Sequence, residues 1–195
     1  MIATPFDAKQ KKISDSVHLE YRDVLYTSLF GVRQGKIIYD APPDDFRDDA
    51  DRHIACDCIL DVPFKGLPYA MRYLVSYRFR EDRYQDFQDI TFTEYNHASD
   101  LPGELYKMAV QYFTYGYYDL ALRLIEAIII DVPNTKRAII SGRLQPVKKD
   151  IPNFRSEQTF VPYSFDDLRR LGLMHRHFKE VNGVLVPQPI ESKSA

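Results

Sequence analysis

Two cysteines are all that this 195-residue chain contains, Cys56 and Cys58, and they stand two apart in one apolar run. At that spacing the side chains of a regular strand cannot bridge, and the companions that a zinc site needs are missing. Both are therefore read as small core residues, ahead of metal or redox roles. Histidine is equally sparse: His18, His53, His97, His175 and His177 are scattered, and His175-Arg176-His177 reads as a solvated polar segment. Long hydrophobic runs are missing too. The longest candidate, residues 127–130, falls far short of the roughly 18 residues that cross a bilayer. The first residues lack the basic and apolar regions of a secretory signal, which predicts a cytoplasmic protein with no membrane contact. There is no Walker A loop, no Rossmann glycine fingerprint and no nucleophile elbow, which disfavours nucleotide hydrolysis by those routes.

What is present is the composition of an ordinary globular protein, 45% hydrophobic and 28% charged. The length suits one domain, placed at residues 1–186 with a flexible tail at 187–195. The net charge of −2 is unevenly distributed. Residues 136–195 hold 11 Lys and Arg against 6 Asp and Glu, while the rest of the chain is acidic. A basic C-terminal third can face a phosphate backbone through Lys136, Arg137, Arg143, Lys148 and Lys149, so DNA or RNA is an expected partner. An uneven scatter of solvated charges reads as well. A protein partner or a second copy of the chain stays open.

Ser14 and Ser16 are N-cap candidates. Val17, Tyr21, Val24, Leu25 and Leu29 follow at helical spacing, and Gly31 supplies a C-cap. A short strand is expected at 36–39 and an acidic surface loop at 40–51. Strands are expected at 53–62, 70–80 and 89–95, then a helix at 104–111 leading into the tyrosine-rich run 112–118. Those aromatics read as core and rim, ahead of a platform for stacked bases. Residues 121–132 have helical spacing in the first half and strand character in the second. A helix at 133–140, a basic connector at 144–157, an extended stretch at 159–163 and a capped helix at 164–172 complete the reading.

The stretch with chemical content is 53–117. Period-two alternation puts Ala55, Asp57, Ile59 and Asp61 on one face, with Cys56, Cys58 and Leu60 on the other. In the next strand Leu74, Ser76, Arg78 and Arg80 share a face. If the two polar stripes point the same way, Asp57 faces Ser76 and Arg78. A carboxylate at mid-sheet needs a cation, either a metal or an arginine. Lys107 and Gln111, four apart in the expected helix, would project together.

The order of a helix, a strand with Asp57, a strand with Ser76-x-Arg78, a third strand and a helix resembles the core of the PD-(D/E)XK nuclease superfamily. The resemblance covers about residues 20–117, with 161–168 similar to a trailing strand and helix, and phage-encoded members look closest. It implies a mixed α/β domain with a central mixed β-sheet flanked by helices. It also implies phosphodiester hydrolysis assisted by Mg²⁺. Carried over by position, Asp57 is the metal aspartate, Ser76 stands where the second acid belongs, and Arg78 replaces the lysine. Lys107 falls on the helix that follows the core. Serine is a poor Mg²⁺ ligand and arginine cannot act as a general base. An active enzyme would need a displaced acid to complete the metal shell, with Glu20, Asp89 and Glu94 the candidates. The alternative is an inactive nuclease-fold protein that works through protein contacts, with Asp57 paired to Arg78 or Arg80.

Overall fold

The computed structural model describes residues 5–40, 55–96, 101–147 and 158–190. Its organising element is a seven-stranded mixed sheet in the order β1 (Ile38–Asp40), β2 (Cys58–Pro63), β3 (Ala70–Glu81), β6 (Tyr112–Tyr118), β7 (Leu124–Asp131), β9 (Met174–Val181) and β10 (Val184–Pro187). The β3–β6 pair is parallel and every other pair is antiparallel. A second sheet holds β5 (Leu101–Pro102), β4 (Asp89–Asn96) and β8 (Gln158–Ser164). The expected mixed α/β architecture is present.

One long helix, α1 (Pro5–Phe30), lies on one face of the large sheet. It begins well before Ser14, so Ser14 is not a cap. Its buried hydroxyl is spent instead on the backbone of Phe79. Gly31, at φ 64°, ends the helix as its position predicts. Cys58, Leu60, Val62, Val75 and Phe79 pack under α1 together with Val17, Leu25 and Tyr26. His18 stacks on Tyr77 with ring centroids 3.9 Å apart and bonds the Tyr26 hydroxyl. Burial, aided by Arg22, holds the His18 imidazole down to about 3, so it stays neutral.

The opposite face is covered by the second sheet and three short helices: α2 (Glu104–Lys107), α3 (Val132–Ile140) and α4 (Phe165–Arg170). Ile90, Phe92 and Tyr163 of that sheet meet Phe113, Tyr115, Tyr117, Ile128 and Ile130. Buried on both faces, β6 and β7 read as nearly continuous apolar runs. This places one run and corrects one expectation. The tyrosine-rich run is the central strand β6, and 124–131 is strand throughout, because tertiary burial overrides the helical spacing of its first half. The caps of α3 and α4 are Asp131 and Ser164, whose side chains accept from the Asn134 and Asp167 N–H groups.

Three further expectations are revised. The 104–111 helix is a single turn, so Lys107 and Gln111 share no helix face; the Gln111 side chain accepts from the Leu74 N–H at 2.6 Å. His175-Arg176-His177 lies inside β9, with His177 5% exposed. The cysteines are buried as expected but in different clusters, since Ala55 at φ 49° interrupts the alternation before β2. Burial pushes the Cys58 thiol up to about 12, which leaves it inert. The chain stays attached through Pro187, which pairs with Phe178, and Gln188, whose N–H reaches the His177 carbonyl. Residues 191–195 and the acidic loop beyond Asp40 lie outside the described residues.

Candidate functional site

Only the first half of β3 pairs with β2, from Ala70 to Val75. Beyond it, among the described residues, no strand covers that side of 76–81. An uncovered strand edge presents unpaired N–H and C=O groups that must find partners. Here side chains supply them. The Asp57 Oδ2 accepts from the Tyr77 N–H at 3.1 Å and from the Ser76 hydroxyl at 2.7 Å. Two residues on, the Phe79 N–H donates to Ser14 Oγ, and its carbonyl accepts from Gln10 and Ser14. The second Asp57 oxygen accepts from Lys11 Nζ at 3.0 Å.

A groove of about 300 Å³ runs along this edge between α1 and the second sheet. Lys11, Arg78, Arg80 and Arg83 line it, with Asp15, Asp57, Glu81, Glu104 and Tyr84. Arg78 bonds the Glu104 carboxylate and donates to the Thr91 carbonyl at 3.0 Å. Glu104 reaches it because Gly103, whose N–H bonds the Glu94 carbonyl, packs α2 directly onto the β4 backbone. Arg80 reaches the Tyr115 hydroxyl, and its guanidinium and that of Arg83 lie over the Tyr84 ring. Tyr77 donates to Asp15; burial, then the charges of Asp57 and Asp15, push its phenol far up.

Asp57 and Ser76 therefore meet, and Arg78 and Arg80 emerge beside them on the second-sheet side. Asp57 takes Lys11 as its ionic partner, and Glu104 takes Arg78, so the expected pairing of Asp57 with an arginine of β3 is replaced. The displaced acids do not converge. Glu20 is exposed on α1 outside the groove. Asp89 is buried beside the Thr91 hydroxyl, at the start of a strand that belongs to the other sheet. Glu94 accepts from the Tyr106 hydroxyl, and Lys107 ends α2 without lining the groove. Among the described residues no three His, Cys, Asp or Glu side chains are grouped to hold a metal. Mg²⁺ wants near-octahedral oxygen donors. With both Asp57 oxygens engaged and a serine beside it, the donor set among the described residues does not fit the ion.

In the basic third, Lys136 turns inward to the carbonyls of Tyr106 and Met108, while Arg137 and Arg143 are exposed. Lys148 and Lys149 lie outside the described residues.

A second polar centre was missed by the sequence reading. Glu126 is fully buried in β7 and accepts from Gln85 and Gln88 at 2.9 Å each and from His177 Nε2 at 2.8 Å, with Lys179 at 3.5 Å. Burial by itself would raise its carboxyl. The three hydrogen bonds and the Lys179 charge outweigh burial and hold it at about 2, so it is ionised. A lone acid in Leu-Ile-Glu-Ala-Ile-Ile-Ile is the same signal that singled out Asp57.

No family model matches this sequence, and no curated protein or solved structure does either. No helix among the described residues is long and apolar enough to cross a membrane.

The role of Asp57 as an edge cap sets a measurable expectation. Replacing it with alanine strands the Tyr77 N–H and the Ser76 hydroxyl and should lower unfolding stability by about 2 kcal/mol in urea titrations. Asp57→Asn, which keeps an acceptor oxygen, should lose about half of that. Lys11→Met should change little, since the half-exposed lysine is screened by water. A loss under about 0.5 kcal/mol for the alanine variant would remove the capping role.

Proposed function

We propose that this protein binds nucleic acid without cutting it, on an α/β frame in which helix, Asp57 segment and Ser76-x-Arg78 strand follow the order of the PD-(D/E)XK nucleases. The observation that carries binding over cutting is the commitment of both Asp57 oxygens to Lys11, Ser76 and the Tyr77 backbone. The third strand, β4, belongs to the second sheet, so Asp89 and Glu94 are not brought to Asp57. The groove's four cations and the Tyr84 ring are the groups that would meet a phosphate backbone and an unstacked base. Arg137 and Arg143 are further exposed cations.

Two measurements test this reading. Millimolar Mg²⁺ or Mn²⁺ should leave the melting temperature unchanged, because an ion that binds only the folded state must raise it. A labelled single-stranded oligonucleotide should bind with an affinity that falls about 30- to 100-fold over a tenfold rise in salt, as expected for two to three phosphate contacts. Arg83→Gln should weaken binding and flatten that slope. A rise in melting temperature together with cleavage of the oligonucleotide would restore the nuclease reading.

A second reading has its own support. The four groove cations are matched by four carboxylates, a balance that suits a polar protein segment better than a polyphosphate. Absence of any oligonucleotide affinity at low salt would favour that protein partner.

A further inference from the structure

At the far end of the large sheet from Asp57, a cleft of about 560 Å³ opens between α4 and β9. His177 forms part of its wall, with Arg169, Arg170 and Lys179 around it and Asp166 and Asp167 alongside. The imidazole side chain is only 7% exposed. Its Nε2 is 2.8 Å from the ionised Glu126 carboxylate, which can only accept, so Nε2 carries the ring proton. In the neutral ring Nδ1 then presents a lone pair. Nδ1 has no partner among the described residues, and the one fully enclosed side-chain polar atom without a partner there is Thr135 Oγ1. Nδ1 is therefore reached from the cleft.

The arrangement around it is selective. Glu126, fully buried, spends its oxygens on three inward hydrogen-bond donors, and the half-exposed Lys179 borders both this carboxylate and the cleft. Arg169 and Arg170 each bond an aspartate of their own helix, at 2.6 and 2.7 Å, which leaves further N–H donors on both guanidinium forks. The cleft thus combines one buried, orientated ring nitrogen with three cations at its rim.

We propose that this cleft binds a small oxyanion that also carries an O–H donor: a hydroxylated carboxylate or a protonated phosphate. The hydroxyl donates to His177 Nδ1, and the anionic oxygens face Arg169, Arg170 and Lys179. A buried acceptor that needs an O–H discriminates against an analogue lacking it.

Glycolate, acetate and inorganic phosphate are the probes, titrated into the full chain while the His177 ring nitrogens are followed by NMR. Glycolate and phosphate should saturate the site and shift Nδ1, with acetate at least about tenfold weaker. Arg170→Gln, on an exposed guanidinium, should weaken glycolate about fivefold while the melting temperature stays put. This variant keeps the test usable if His177→Gln fails to fold with Glu126 unpaired. Equal affinity for acetate and glycolate, an Nδ1 signal unmoved at saturation, or no binding of either glycolate or phosphate would overturn the proposal.

Discussion

Glu126→Ala should be among the most damaging single changes in this protein, costing about 3 to 5 kcal/mol and lowering the melting temperature by about 10 °C. The buried carboxylate is the common acceptor for His177, Gln85 and Gln88, and Lys179 sits beside it. Removing it leaves those donors facing a void. Glu126→Gln keeps the shape and one acceptor oxygen and should cost less, about 2 kcal/mol. The charge also predicts a pH signature. The Glu126 carboxyl is held at about 2 in the folded chain, against an ordinary 4.5. A depressed pKa contributes stability that is complete above the unfolded value and drains away as pH falls toward the folded one. The stability gap between wild type and Glu126→Gln should therefore be full at pH 6 and shrink between about pH 4.5 and 2. A gap that stays constant through that window would mean that the carboxylate is not ionised.

Gly116→Ala should destabilise by about 3 kcal/mol for a different reason. Gly116 sits mid-strand in β6, opposite Ala127, on the face toward α1. A Cβ there would stand 2.5 Å from the Glu126 carbonyl oxygen, 3.0 Å from Leu124 and 3.1 Å from Phe79. Backbone oxygen cannot step aside, so β6 and β7 would have to separate at the centre of the sheet. Circular dichroism during thermal melting reads the effect directly. A melting temperature within 2 °C of wild type would show that the strands can relax.

Two acids, half-buried Asp57 and fully buried Glu126, illustrate how alike signals diverge in three dimensions. Asp57 and Glu126 are each a single carboxylate in an apolar strand sequence. Asp57 stands where β2 stops covering β3, so its oxygens serve an open edge and one lysine. Glu126 stands between β6 and β9, covered from above by the turn that carries Gln85 and Gln88, so its charge is enclosed by donors from distant segments.

By itself the sequence determined the elements whose signals are local. The Gly31 stop of α1, the Ser164 cap of α4, the β2–β3 hairpin and the alternation of Ser76, Arg78 and Arg80 against Val75, Tyr77 and Phe79 depend on neighbours a few residues away. Caps, turns and period-two patterns act over that range. Tertiary structure decided the rest. That β4 pairs with β8 in a second sheet and that residues 112–118 form the central strand depend on which strands meet, and Asp57 with Lys11, Arg78 with Glu104 and His177 with Glu126 join side chains 46, 26 and 51 residues apart along the chain. Nothing local encodes such pairings. They follow from which strand edges remain open and which faces are buried once the sheet has assembled.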